Sequence, residues 1–208
     1  MSGDDALYDA FFHQSGVIRA STFQELFDLA RVFSREPLMK GPNISVVTSS
    51  GSLGVMAADA AFQLGLQFPD LGPDTVAAVR GHAPAWMNVK NPLDVGPSGL
   101  FGVALEAALR DKQVSGVIAI PVIPGTIIKS IVDAGIDPAL MFGEAEKIRR
   151  AVPGKPALIY TVGSNFWVRL VKDMFGSHLT MVSSPEAAAK ALWELYRYNR
   201  FRNEAARG

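Results

Sequence analysis

The segment Gly116–Val122 (GVIAIPV) runs seven residues without a charge or a hydroxyl. A strand of this kind has no polar side to turn to water. It needs cover on both faces, the condition met in a parallel sheet with helices packed above and below it. Further short β-branched or apolar runs stand at Ile44–Thr48, Leu66–Phe68, Ala157–Val162 and Leu179–Val182. Between them the spacing predicts helices over Val55–Leu64, Thr75–Gly81 with Asp74 as cap, Leu100–Asp111, Gly143–Ala151 and Phe166–Phe175. A last helix begins with Ser184 as cap and Pro185 in its first turn, and runs to about Tyr198.

Strands thus alternate with helices, the pattern of a doubly wound parallel α/β sheet of about five strands, of the flavodoxin-like type. In such sheets the ligand crevice lies beyond the carboxyl ends of the strands, where strand order reverses. That directs attention to the turns after Thr48, Val122 and Val162, and to the Pro-rich stretch Asn88–Gly96, which is expected to reach the same rim. The whole of Ala83–Gly99 (APAWMNVKNPLDVGPSG) reads as irregular, and a loop of that length inside a compact domain is usually functional.

The organisation expected is an N-terminal helical segment over 1–36, a flavodoxin-like domain over 43–198, and a basic tail over 199–208 that frays. In the first segment Tyr8, Phe11 and Phe12 recur on one face of a helix that stops near Ser15–Gly16. Thr22 and Glu25 form a capping box for a second helix, whose apolar stripe is Leu26, Leu29, Ala30 and Phe33. The Pro/Gly stretch Pro37–Pro42 marks the boundary.

Composition narrows the classes. Lys+Arg and Asp+Glu number 20 each, so there is no basic excess for nucleic acid, and zero net charge offers little protection against association with a partner or a second copy. With no cysteine there is no disulfide framework, thiolate metal site or cysteine nucleophile, which fits a cytoplasmic setting. No apolar run reaches the roughly 18 residues of a membrane span. The first residues lack the basic region of a signal peptide.

The turn after Ile44–Thr48 is the most informative local feature. Ser49–Gly54 (SSGSLG) leaves a strand and opens a helix, so its amides and the positive end of the helix dipole suit a phosphate or other anion. A plain strand-to-helix turn has the same composition. The loop lacks the Gly-Lys-Ser/Thr of a P-loop and a strict G-x-G-x-x-G. Ser52 has Gly54 after it but Ser50 before it, which breaks the nucleophile-elbow pattern. Asn91-Pro92-Leu93-Asp94 is either a rigid turn or a rim loop that presents Asn91 and Asp94 to a ligand. His13, His82 and His178 stand alone, without metal-ligand spacing, and no metal site is expected. Trp86, Trp167 and Trp193 read as packing residues, Lys90 as solvated, and Glu144 and Glu146 as acids complementing a helix dipole.

Three segments taken in order, YDAFFHQSGVIRASTFQELFDLARVF, VVTSSGSLGVMAADAAFQLGL and NPLDVG, resemble the NDP-forming acyl-CoA synthetases, relatives of succinyl-CoA synthetase. The resemblance runs from about Leu7 to about Tyr198. It implies the reaction acyl-CoA + NDP + phosphate ⇌ carboxylate + CoA + NTP, through an acyl phosphate and a phosphorylated histidine on a mobile segment. It implies CoA, NDP/NTP and phosphate as substrates rather than tightly bound cofactors, with Mg at a partner's nucleotide site. By position it puts Ser49, Ser50, Gly51, Ser52 and Gly54 at the phosphate, and Asn91 and Asp94 on the active-site rim. The family's phosphohistidine lies in a Ser-His-Thr-Gly segment just before the YDAFF helix, and residues 1–208 contain no such segment. No catalytic residue is therefore assigned to this chain, and no turnover is expected from it alone. The family more often has asparagine at Ser49, glycine at Ser52 and proline at Leu53. A CoA-binding, phosphohistidine-bearing chain and an ATP-grasp chain are the implied partners, with a homo-oligomer as the other form of association. Two other readings are a binding or scaffold module that keeps the fold without the chemistry, and an unrelated flavodoxin-like protein that binds a flavin or nucleotide.

Overall fold

The computed structural model describes residues 5–137 and 145–207. The glycine that would start a helix at Gly143, and Glu144 beside it, lie outside the described residues. Helices α1 (Asp5–Ser15) and α2 (Phe23–Arg35) come first, then β1 (Ile44–Thr48), α3 (Gly51–Gln63), α4 (Pro73–Arg80), β2 (Leu93–Asp94), α5 (Phe101–Arg110) and β3 (Gly116–Ile120). They are followed by α6 (Gly125–Asp133), α7 (Ala145–Ala151), β4 (Ala157–Ile159), α8 (Asn165–Phe175), β5 (Thr180–Met181) and α9 (Pro185–Ala205). The five strands form one parallel sheet in the order β2-β1-β3-β4-β5, the flavodoxin-like arrangement, with the order reversing between β1 and β3.

Strand alternation divides the core into two layers. Ile44, Val46, Ile118, Ile120 and Leu158 point to the side covered by α2, α3 and α9, among Leu29, Val32, Ala57, Ala61, Leu192 and Leu195. Val47, Val117, Ala119, Ala157 and Ile159 point to the other side, among residues of α4, α5, α7 and α8 such as Val79, Phe101, Leu105, Ile148, Trp167 and Phe175. The unbroken apolar character of β3 is thereby explained, and β1, which also carries Ser45 and Thr48, is buried at every residue as well.

Several local expectations change. Leu66–Phe68 makes only an isolated bridge, Asn43 with Gln67. The edge strand is Leu93–Asp94, inside the stretch read as irregular, where three prolines hide a two-residue pairing with Val47 and Thr48. Helix α4 is capped at Gly72 with Pro73 in its first turn, so Asp74 is a first-turn acid and not the cap. Helix α6 has no counterpart in the sequence reading, because its Ile- and Val-rich run continues the apolar pattern of β3 past two prolines. In α2 the buried side is Asp28, Leu29 and Val32, while Leu26 and Ala30 face water.

The capping box holds with a shift. Thr22 Oγ1 accepts from Glu25 N–H at 3.1 Å, and the Glu25 carboxylate accepts from Ser21 N–H at 2.7 Å, one residue before the usual target. Nor does the chain end fray at Tyr198. Helix α9 continues to Ala205, Asn199 donates to the Met39 carbonyl at 3.1 Å, and the Phe201 ring lies against Gly16. Among the described residues, no helix is long and apolar enough to cross a membrane.

Candidate functional site

At the end of β1 the chain turns directly into a helix. α3 begins at Gly51, four residues earlier than its sequence pattern suggests, so Gly51, Ser52 and Gly54 form its first turn rather than a free loop. Ser50 is the cap residue, yet its hydroxyl caps no amide and instead lies 3.4 Å from the Ser52 hydroxyl. The Gly54 amide donates to the Ser50 carbonyl at 3.0 Å. Among the described residues, no side chain accepts from the amides of Gly51, Ser52 or Leu53. These are the donors that every helix start leaves unpaired, and here Gly51 and Ser52 are exposed.

The residues just before this turn are spent on holding it. Thr48 Oγ1 accepts from Ser50 N–H at 2.9 Å and shares its proton between the carbonyls of Ser50 at 2.9 Å and Ile120 at 3.3 Å. The Ser49 hydroxyl donates to the Val122 carbonyl at 2.8 Å and accepts from the Val122 amide at 2.7 Å, while Ser49 N–H donates to Ile120. Ser49 therefore staples the exits of β1 and β3 together across the reversal point. Of the five residues set at the phosphate, Gly51 and Ser52 are exposed and their amides have no partner among the described residues, while the hydroxyl and the amide of Ser49 are both spent within the chain.

Two glycines have different reasons to be there. A Cβ on Gly54 would fall 2.7 Å from Thr48 Cγ2, a buried contact with no room to yield. A Cβ on Gly51 would fall 2.8 Å from Asp94 Oδ2, the free end of an exposed side chain that can turn away. Gly54→Ala is accordingly expected to lower stability by roughly 1–3 kcal/mol through overpacking. Gly51→Ala is expected to be neutral or slightly stabilising, since alanine favours the helix. Urea unfolding of the two variants side by side checks the contrast.

The Asn91–Asp94 turn splits in two. The Asn91 peptide to Pro92 is cis. The Asn91 side-chain amide donates from Nδ2 to the carbonyls of Ile44 at 2.8 Å and Pro69 at 3.2 Å and accepts at Oδ1 from Val46 N–H at 3.3 Å, so Asn91 completes the outer edge of β1, well before the strand's exit. Asp94 is at the exit. It pairs with Thr48 in the sheet, its Oδ1 accepts from Gly96 N–H at 2.9 Å, and its Oδ2 overhangs Gly51. A carboxylate at this place is favoured by the positive end of α3. It also makes the rim selective. A bare anion at the Gly51 and Ser52 amides meets a negative neighbour, whereas an anion attached to a hydrogen-bond donor can give Asp94 a partner.

Two further residues belong to the rim. Thr48, read as the end of the first strand, carries the turn through its hydroxyl. Trp86 is 65% exposed, and its ring edge lies 3.6 Å from where a Gly96 Cβ would stand, beside the amide that holds Asp94. The expectation of a packing tryptophan fails for Trp86 and holds for Trp167, which is wholly buried and donates from Nε1 to Thr161 Oγ1 at 2.8 Å. Among the described residues no three His, Asp or Glu side chains converge as metal ligands do.

The flavodoxin-like domain model of succinyl-CoA ligase matches residues 1–33. The alpha subunit of acetate–CoA ligase [ADP-forming] II from Pyrococcus furiosus is 34% identical over 202 residues, which is 94% of this chain and 42% of that protein. The crystal structure of PH0766 from Pyrococcus horikoshii OT3 superposes with a TM-score of 0.80 at 29% identity, covering 96% of this chain and 45% of that one. A dinucleotide-forming acetyl-coenzyme A synthetase 1 of Ca. Korarchaeum cryptofilum, solved in complex with phosphate and ADP, shares the fold with a TM-score of 0.79 at 23% identity. It covers 100% of this chain and 44% of that chain. The chain thus spans less than half the length of these proteins.

Proposed function

We propose that this chain, a homologue of the ADP-forming acetate–CoA ligases with a flavodoxin-like fold akin to that of succinyl-CoA ligase, works as one subunit or segment of an NDP-forming acyl-CoA ligase. The reaction of such an assembly is acyl-CoA + NDP + phosphate ⇌ carboxylate + CoA + NTP. This chain's part is the start of α3, where the amides of Gly51 and Ser52 face water and receive a phosphoryl group carried on a histidine of another segment or chain. That pair of unspent amides, in two exposed residues at the reversal point of the sheet, is the observation that carries the reading.

Each rim residue has a role that follows from its contacts. Thr48 and Ser49 fix the backbone so that the amides need not reorganise when charge arrives. Gly54 lets the helix sit close against Thr48. Asn91 shapes the rim at one remove by setting the edge of β1, and Asp94 accepts the N–H of an imidazole whose other nitrogen bears the phosphoryl group. CoA, the nucleotide and its Mg belong to partner chains or segments, a CoA-binding unit and an ATP-grasp unit, and none is a tightly held cofactor of this chain.

Residues 1–36 belong, on this reading, with a preceding ligase domain. The family-model match to residues 1–33 supports it, and so does α2 itself. One side of α2 packs on this sheet through Leu29 and Val32. The opposite side sets Phe23, Leu26 and Phe27 in water, Phe23 at 81% exposure. A helix apolar on two opposite sides is built to lie between two bodies.

The test is Gly51→Asp in a ligase assembled from this chain with CoA-binding and ATP-grasp partners. An aspartate at the first helical position is favoured by the helix dipole, which offsets its repulsion by the exposed Asp94 carboxylate that can turn away, so the fold stays, while its charge occupies the place of the phosphoryl group. The expected result is a loss of about 100-fold or more in acyl-CoA-dependent NTP formation, with circular dichroism and melting temperature unchanged. An unaltered rate overturns the placement. A second reading, a scaffold that keeps the fold without the chemistry, is favoured by one observation: Ser49 and the Ser50 amide are already bonded within the chain. It predicts that the assembly turns over equally well with the wild-type and Gly51→Asp chains.

A further inference from the structure

Trp86 stands exposed on the rim, at the tip of a turn built to stay still. The Met87 amide donates to the Pro84 carbonyl at 3.0 Å, and Arg80 Nη1 donates to the Met87 carbonyl at 3.0 Å. Just behind the tip, Met87 and Val89 are buried in the core. The outer edge of the indole leans over Gly96, with Cη2 3.6 Å and Cζ3 4.0 Å from where a Cβ there would stand. Covering that glycine needs only a small apolar side chain. The fold instead keeps the largest one in water on a fixed support, which is how binding surfaces present an anchor.

Its neighbours say what it would anchor. Gly96, under the ring edge, gives its N–H to Asp94 Oδ1 at 2.9 Å, and Asp94 Oδ2 overhangs Gly51. An exposed indole, a carboxylate and the unspent amides of Gly51 and Ser52 thus follow one another along the rim. The amides suit a phosphoryl group, and the carboxylate suits an N–H donor. An imidazole with a phosphoryl group on one nitrogen and a proton on the other meets both needs and is a planar cation. Of all side chains, the face of a tryptophan attracts such a cation most strongly. Free phosphate has neither ring nor N–H, and finds in Asp94 only a like charge.

We infer that Trp86 is the platform for the ring of the phosphorylated histidine, and that with Asp94 it makes the rim selective for a phosphoryl group carried on an imidazole. Trp86 holds and orients the ring and takes no part at the phosphorus. The inference rests on the phosphate site proposed at Gly51 and Ser52.

Freshly prepared N-phosphorylimidazole is the probe, with inorganic phosphate as reference and the full 208-residue chain as receptor in calorimetric titrations. The wild-type chain is expected to bind N-phosphorylimidazole about tenfold more tightly than phosphate, with quenching of indole fluorescence at saturation. Trp86→Ala, at an exposed turn tip, keeps the melting temperature and the affinity for phosphate. It lowers the affinity for N-phosphorylimidazole about fivefold and removes the quenching. Trp86→Phe keeps a ring face and recovers most of that affinity, which a merely structural role for the indole would not require. Gly51→Asp tests the underlying site and is expected to bind neither ligand. Equal N-phosphorylimidazole affinity in wild type and Trp86→Ala, with binding lost in Gly51→Asp, overturns the inference and leaves the phosphate site standing. A wild-type chain that binds the two ligands equally also overturns the inference. Undiminished binding in Gly51→Asp, or no saturable heat from either ligand in wild type, overturns the site and the inference with it.

Discussion

Glu36→Ala lowers the unfolding free energy by about 3–5 kcal/mol, the cost of leaving a buried cation without its partner. Glu36 follows α2, and its side chain is 1% exposed. Oε1 accepts from Thr180 Oγ1 at 2.7 Å, and Oε2 accepts from Arg149 Nη2 at 2.9 Å and from Ala157 N–H at 3.0 Å. One carboxylate thus ties the end of α2 to α7 and to the first residues of β4 and β5. Arg149, 17% exposed, also donates to the Lys155 carbonyl, so it cannot swing out to water without losing a second bond. Glu36→Gln fares better than alanine by keeping shape, but its amide cannot accept from all three donors. Replacing both Glu36 and Arg149 by methionine recovers much of the loss, since no unpaired charge is left inside. Urea unfolding of the two single variants and the double variant measures the coupling. A Glu36→Ala chain within 0.5 kcal/mol of wild type on the scale of such measurements removes this account.

Glu36 also shows where sequence reading stops. Four of the five strands and most helices were legible because burial on both faces forces a largely apolar run, and the caps at Thr22 and Ser184 are local chemistry. Glu36 looked like the last residue before a linker, and nothing within a few positions of it hints at Ala157 or Thr180. The partners of a buried acid are set by topology, which a linear pattern does not carry. The edge strand β2 was lost for a related reason. It is two residues long and sits among prolines, and Asn91 secures it with side-chain bonds that substitute for a ladder.

The candidate site was legible in part. Glycines and serines between a strand and an alanine-rich helix pointed to the start of α3, and the helix does present free amides there. The hydroxyls were misjudged as a group. Ser49 reads like Ser52 in the sequence, yet one is locked to Val122 across 73 residues of chain and the other is exposed. Asn91 and Asp94 likewise read as a pair, but strand alternation and the turn send one to the flank of β1 and the other to its exit.

Asp111→Ala is the remaining substitution with a large expected effect, and its pH dependence separates it from a packing loss. Asp111 lies just after α5, 5% exposed, and gathers three donors: Gly72 N–H at 2.7 Å, Thr75 Oγ1 at 2.8 Å and Gln113 N–H at 2.8 Å. It therefore acts as the N-terminal cap of α4 from another helix, where Gly72 has no side chain to offer. Burial alone would raise its carboxyl pKa, but these bonds and the nearby Lys155 charge outweigh it and hold the group below the ordinary value. A lowered folded-state value means that the stability it contributes is present above the unfolded value of about 3.9 and fades as pH falls through the folded one. Alanine should cost about 2–4 kcal/mol at pH 7, and the gap from wild type should close in acid. Lys155 gives the opposite check. Burial brings its ammonium down from 10.5 to about 8 against the pull of Asp111, and Nζ donates to the Asp111 carbonyl at 2.6 Å. Between those values the unfolded chain holds the extra proton, so wild-type stability rises with pH across that window. Removing the Asp111 charge lets Lys155 lose its proton below pH 8, which a ¹³C titration of the lysine side chain reads directly. An Asp111→Ala chain whose deficit is the same at pH 3 and pH 7, with Lys155 titrating as in wild type, shows that Asp111 acts there by shape and not by charge.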